Sequence, residues 1–232
     1  MSILFRGPPG GGKTTLGLQW PSLWLANCDN NLDGPVRFLR KKGLYKPFKM
    51  DNIALDDNDV PITDLALHWP RLMLKTDEAI EDKTIKTIFI DSLTHIDRIL
   101  FEYIFVKNKT DKVKGASFPE YNMFKTLLYG YLTKIKSAGK TLLVACHEKI
   151  EYGQDFKVEA YVPAISTNLK DYFEYLFTDQ WLCEIRPDGG GNVKTFVVTH
   201  PTATRSLKNS LLFGKEIDAT YDAVAKALAK PL

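Results

Sequence analysis

Gly7-Pro8-Pro9-Gly10-Gly11-Gly12-Lys13-Thr14-Thr15 follows directly on the apolar run Ile3-Leu4-Phe5 and opens a stretch of helical character, 14–20. The pattern is a complete G-x-x-x-x-G-K-[ST] phosphate loop, and its context fits, because a strand delivers the loop and a helix leaves it. Glycines let the backbone curl around phosphate oxygens where a Cβ would collide. Lys13 would meet the β- and γ-phosphates as a point charge, and the Thr14 hydroxyl would ligate Mg²⁺. These nine residues are therefore read as a site for ATP with Mg²⁺ rather than as an ordinary Gly/Pro-rich turn.

Outward from the loop, apolar strand-like runs at 23–26, 87–90 and 141–145 alternate with helical spacing at 67–81, 96–106 and 121–137. Pro70 would start or kink the first of these helices, and Gly139 would cap the last. This alternation predicts an α/β fold with a mostly parallel sheet flanked by helices. Runs at 180–186 and 193–198 on either side of Asp188-Gly-Gly-Gly191 predict a C-terminal β-hairpin, followed by a short helix at 221–228. A basic segment, 37–49, follows the second strand. The 232 residues are 44% hydrophobic, which suits one domain over 1–232 with a sizeable core.

A net charge of +3 and a pI near 8.6 do not by themselves specify a partner. No apolar run is long enough to span a membrane, and the N-terminus lacks the features of a signal peptide. A leader could not be removed without destroying a loop that begins at residue 7. Cys28, Cys146 and Cys183 form neither a C-x-x-C pair nor a zinc spacing, so a reduced cytoplasmic compartment is expected.

The second chemical signal is Ile88-Phe89-Ile90-Asp91-Ser92. A buried strand ending in Asp presents one carboxylate to Mg²⁺, as a Walker B site requires. The Pro-Pro of the phosphate loop resembles AAA+ ATPases, but those usually carry a Glu directly after this Asp, and position 92 is Ser. Asp-Ser instead resembles the RecA-like recombinases and helicases, whose general base lies at the end of the strand after the phosphate-loop helix. In this chain that place is Cys28-Asp29-Asn30-Asn31-Leu32-Asp33. Asp29 aligns with the usual Glu and could polarise water despite its shorter reach, although it equally suits a turn that caps the strand. Asp33, just before Gly34-Pro35, is the weaker alternative. His147, at the end of the next strand in Val144-Ala145-Cys146-His147-Glu148-Lys149, occupies the position of a γ-phosphate sensor, or of a solvated polar residue at a strand end.

Together these residues resemble the phage RecA-like single-strand annealing proteins and recombinases, often described as phage NTP-binding or AAA-type ATPases. The likeness spans about residues 2–215 and includes Ala145-Cys146-His147-Glu148, Pro163 with the residues up to 169, the stretch 175–179, and His200-Pro-Thr-Ala-Thr-Arg205-Ser-Leu-Lys208. It implies a RecA-like ATPase core, single-stranded DNA as partner, homo-oligomerisation as a filament or ring, and contact with a single-strand-binding protein in a bacterial host cytoplasm. It places DNA contacts on two mobile loops. One holds Lys107, Lys109, Lys112 and Lys114; the other, 149–164, holds Lys149 and Lys157 among the aromatics Tyr152, Phe156 and Tyr161. Solvated lysine-rich loops would carry the same pattern. Arg205 and Lys208 would reach the γ-phosphate of an adjacent protomer, or form surface salt bridges. The chain departs from the larger relatives in having almost nothing before the phosphate loop and in the shorter acid at 29. A helicase or packaging motor shares this core. A P-loop phosphotransferase or nucleotide-controlled interaction protein is the reading without DNA, weakened by seven dispersed arginines that form no lid.

Overall fold

The computed structural model describes residues 1–110, 115–166, 175–187, 193–211 and 214–229. In chain order the elements are β1 (Ser2–Gly7), α1 (Lys13–Gly17), β2 (Leu23–Asn27), α2 (Asp33–Lys41), β3 (Lys49–Asn52), a 3₁₀ turn (Leu65–Leu67), α3 (His68–Glu81), β4 (Thr87–Asp91), α4 (Leu93–Asn108), α5 (Phe118–Ser137), β5 (Thr141–Tyr152), β6 (Val158–Pro163), β7 (Asp179–Pro187), β8 (Val193–Val198), β9 (Glu216–Asp218) and α6 (Tyr221–Leu228). Among the described residues the sheet order is β3-β2-β4-β5-β1-β7-β8-β9, with β6 paired to β5. The pairs from β3 to β7 are parallel, and β7–β8 and β8–β9 are antiparallel. This is the mostly parallel α/β sheet flanked by helices expected from the sequence, including the C-terminal antiparallel pair β7–β8. The expected turn at Asp188–Gly191 lies outside the described residues.

Period-2 alternation sorts the buried strands between two cores. Leu4, Ile88, Ile90, Leu142 and Val144 face a core shared with α3, α4 and α5, while Ile3, Phe5, Phe89, Leu143 and Ala145 face one shared with α1, α2 and α6. Helix α1 lies close to the sheet because Gly17 has no side chain: a Cβ there would stand 2.3 Å from the Phe89 ring. The helix is shorter than the sequence predicts. After Gly17 the chain closes with i→i+3 bonds, Gln19 N–H to Leu16 O (3.2 Å) and Trp20 N–H to Gly17 O (3.2 Å), ahead of Pro21. Helix α5 conversely begins earlier than its apolar spacing indicates. Glu120 accepts the Ser117 backbone N–H at 3.0 Å, a capping box with Pro119 in the first turn.

Register positions the functional ends of the strands. Gly7 pairs with His147, and Asn27 with Asp91. Beyond His147, β5 leaves the main sheet and, among the described residues, pairs only with β6, from Glu148↔Pro163 to Tyr152↔Val158. The expected mobile loop at 149–164 is thus corrected to a β-hairpin. Ile150 and Tyr152 alternate on one strand, Val158, Ala160 and Val162 on the other, and Gly153 N–H bonds Lys157 O at 2.9 Å across the turn.

Arg6, one residue before the phosphate loop, is buried. Its guanidinium pairs with Glu148 Oε1 at 3.1 Å and donates to Ser206 O (2.6 Å) and Tyr161 O (2.7 Å). Arg205 donates to the other Glu148 oxygen at 3.1 Å. Removing one partner of such a buried pair strands a charge. We expect Glu148→Ala to lose about 3–5 kcal/mol in urea unfolding. A loss below about 1 kcal/mol would show that carbonyl oxygens alone satisfy Arg6.

Candidate functional site

The loop after β1 folds tightly: Gly11 N–H bonds Pro8 O at 3.0 Å, and Leu16 N–H bonds Gly12 O at 2.9 Å to begin α1. Gly12 sits at φ 91°, and a Cβ there would stand 2.4 Å from the Thr195 methyl, so both conformation and space require glycine. Lys13 is buried and donates to Gly7 O (2.9 Å) and Pro8 O (2.7 Å). Burial holds its pKa below the ordinary lysine value.

From the neighbouring strand ends come the carboxylates. Thr14 Oγ1 donates to Asp91 Oδ2 at 2.6 Å, which brings the two expected Mg²⁺ ligands together. Burial pushes the Asp91 carboxyl up to about 6, reinforced by Asp29 and opposed by the Thr14 hydrogen bond and Lys13. The backbone ties the two acidic loops through Cys28 N–H to Asp91 O at 2.7 Å. The Asp29 carboxylate accepts the Ser92 hydroxyl at 2.9 and 3.2 Å and lies 3.7 Å from His95 Nδ1. Asp33, by contrast, opens α2, is exposed, and lies 3.9 Å from Arg37. The backbone N–H of His147 donates to Thr94 Oγ1 at 3.0 Å. Its ring Nδ1 is buried without a hydrogen-bond partner among the described residues, and burial followed by Lys13 lowers its pKa, which keeps the imidazole neutral.

These groups line one cleft of about 400 Å³ that takes in Gly10 to Thr15, Asn27, Asp29, Asp91 and His147. The cleft also includes Pro35 and Phe38 of α2 and Ile185 and Thr195 of the β7–β8 hairpin, which the sequence reading does not reach. Those contributions depend on packing between distant segments. Only Phe38 carried a signal, as an aromatic at an otherwise polar position of α2. Asn27 Oδ1 and His147 Nδ1, buried and without partners among the described residues beside a glycine cradle, fit a polar, oxygen-rich ligand, as a nucleoside triphosphate with Mg²⁺ would be.

The remaining expected residues lie elsewhere. Lys107 stands 5.6 Å from the Tyr103 ring, and Lys109 ends α4 in the left-handed conformation. Lys112 and Lys114 lie outside the described residues. Lys149 donates to Ile165 O (3.1 Å), and Lys157 pairs with Asp155 (2.8 Å). Arg205 stacks 3.7 Å above the Tyr161 ring, and Lys208 donates to Phe177 O at 3.3 Å; neither lines the cleft of its own chain.

The glycine loop, its lysine, the Thr14–Asp91 pair and the strand order together define a P-loop nucleoside triphosphatase. The profile of an AAA-domain family matches residues 1–179, and the chain belongs to that family, whose members are P-loop ATPases. Comparison with curated proteins gives no match. Among solved structures, the chain is similar to a KaiC-like protein from the hyperthermophilic archaeon Pyrococcus horikoshii OT3, with 13% identity and a TM-score of 0.49 over 94% of this chain and 84% of the other.

The raised Asp91 has a consequence for stability. Between its unfolded value of about 4 and its folded value near 6, only the folded chain keeps the proton, so stability falls as pH rises through that window. Above it the ionised group costs on the order of 3 kcal/mol. Asp91→Asn should therefore melt higher than wild type at pH 7.5 without nucleotide or Mg²⁺, and lose turnover. Its stability should also vary less between pH 4 and 6 (both about). Equal melting temperatures at pH 7.5 would remove that electrostatic cost.

Proposed function

We propose that this chain is an ATP-dependent, single-stranded-DNA-binding recombinase or annealing ATPase that works as a homo-oligomer. What carries the reading is the continuity of β5: the strand that ends the nucleotide cleft at His147 runs on without a break into the β5–β6 hairpin, where Tyr152 and Phe156 are exposed. Exposed aromatics on a hairpin provide a platform for unpaired bases. Lys107 and Lys109 at the end of α4 add cations for the phosphate backbone.

At the cleft, Lys13 would exchange its two loop carbonyls for phosphate oxygens. The Thr14 hydroxyl and Asp91 would hold Mg²⁺, which offsets charge on the transferring phosphoryl group. Asp29, oriented by Ser92, would accept the proton of the attacking water. The neutral His147 ring, with Nδ1 unpartnered among the described residues, would hydrogen-bond the terminal phosphate. Arg205 and Lys208 would serve a neighbouring protomer's site in the assembly.

Mg²⁺-dependent ATP hydrolysis, measured with and without single-stranded DNA, tests this directly. Turnover should rise several-fold with DNA, Lys13→Ala should abolish it, and Asp29→Asn should lower kcat by about 10²–10⁴ while nucleotide still binds. Full activity in Lys13→Ala would sink the phosphate-loop assignment. Turnover indifferent to DNA, without DNA binding in any nucleotide state, would leave an ATPase with a phosphotransfer or interaction role.

A further inference from the structure

Between Gly34 and Met50 the chain carries six cations, Arg37, Arg40, Lys41, Lys42, Lys46 and Lys49, and no carboxylate. The whole chain is only net +3, so everything outside this stretch is net negative. Helix α2 sorts the segment by face. Leu39 is buried and Val36 half-buried, while Arg37, Phe38, Arg40, Lys41 and Lys42 are exposed.

Two of the six cations already have acidic partners: Arg37 lies 3.9 Å from Asp33, and Lys49 lies 2.6 Å from Asp82. Arg40, Lys41, Lys42 and Lys46 form no ion pair among the described residues. Three of these four are placed near rings instead, Arg40 4.9 Å from Tyr45, Lys46 5.1 Å from Tyr221 and Lys42 6.0 Å from Phe38. A surface that serves solubility alone mixes both signs of charge. A one-sign surface with interleaved aromatics is the footprint of a nucleic-acid site.

We propose that the exposed face of α2 and the connector into β3 form a nucleic-acid-binding surface of their own, on which Arg40, Lys41, Lys42 and Lys46 contact the phosphodiester backbone. The inference rests on the DNA-binding reading above and deepens it. In the β5–β6 hairpin, Lys149 and Lys157 are outnumbered by Glu151, Asp155 and Glu159, so that platform lacks net positive charge. Helix α2 packs on the sheet face of α1 and α6, whereas Lys107 and Lys109 end a helix of the opposite face, so the two basic regions are separate surfaces. Phe38 also lines the nucleotide cleft, which places a strand held on α2 one side chain away from bound nucleotide.

The test is anisotropy of a labelled single-stranded oligonucleotide across a salt series, using wild type and the combined variant Arg40→Gln, Lys41→Gln, Lys42→Gln, Lys46→Gln. The variant should bind at least tenfold more weakly near 0.1 M salt (roughly), with a salt slope shallower by about 3. Its DNA-free ATPase rate should stay within about twofold of wild type, because none of the four residues lines the cleft. Wild-type binding with an unchanged slope in the variant would overturn this surface and leave the DNA-binding reading standing. No binding by wild type would overturn both. Unchanged DNA affinity with a smaller oligomer by light scattering would assign the patch to an acidic surface of a second copy instead.

Discussion

A guanidinium buried one residue before the phosphate loop constrains everything around it. Arg6 cannot leave water without compensation, and that compensation comes from four separate places: Glu148 on β5, Tyr161 on β6, Ser206 in the C-terminal segment and Gln180 on β7, the last at 3.5 Å. Each partner belongs to a different part of the chain, so one buried side chain ties four segments together. The loop that follows Arg6 therefore starts from a fixed point. The hairpin on β5 is anchored at its base by the same side chain, and Arg205 extends the network by sharing Glu148.

On that frame the site collects groups that burial holds away from their ordinary ionisation. Asp91 is raised and Lys13 lowered, both chiefly by desolvation, as burial disfavours the charged form of each. The residue after Asp91 is Ser92 rather than a Glu, and it is tied to a second acid. Ser92 fills that position and its hydroxyl holds Asp29, which arrives from the neighbouring strand. The Asp29 carboxylate thus reaches Ser92 from the end of the neighbouring strand β2. His95, one turn into α4, stands on the other side of the same carboxylate.

Much of this was legible beforehand because it depends on local pattern. A glycine loop between a strand and a helix, and an apolar strand ending in Asp, each state their chemistry within ten residues, and the parallel sheet follows from their alternation with helices. Less local features were hidden. The β5–β6 hairpin looked like a polar loop because charged residues alternate with its apolar ones, leaving Ile150, Tyr152, Val158 and Val162 too sparse to stand out. Arg6 gave no sign of burial, since its acceptors lie 140 or more residues away in the chain. Thr195 and Ile185 reach the cleft only because β7 joins β1 in the sheet, a pairing that no nearby motif announces.

The uninterrupted run of β5 gives the molecule a mechanical property. From His147 to Tyr152 the chain is a single extended strand, spanning roughly 17 Å at its usual rise. An extended strand held by ladder bonds on both sides of its midpoint resists stretching far more than it resists tilting. The cleft wall at His147 and the exposed hairpin are therefore two ends of one strand, with no flexible joint between them. Arg6 and Glu148 stand where the strand leaves the main sheet for the hairpin.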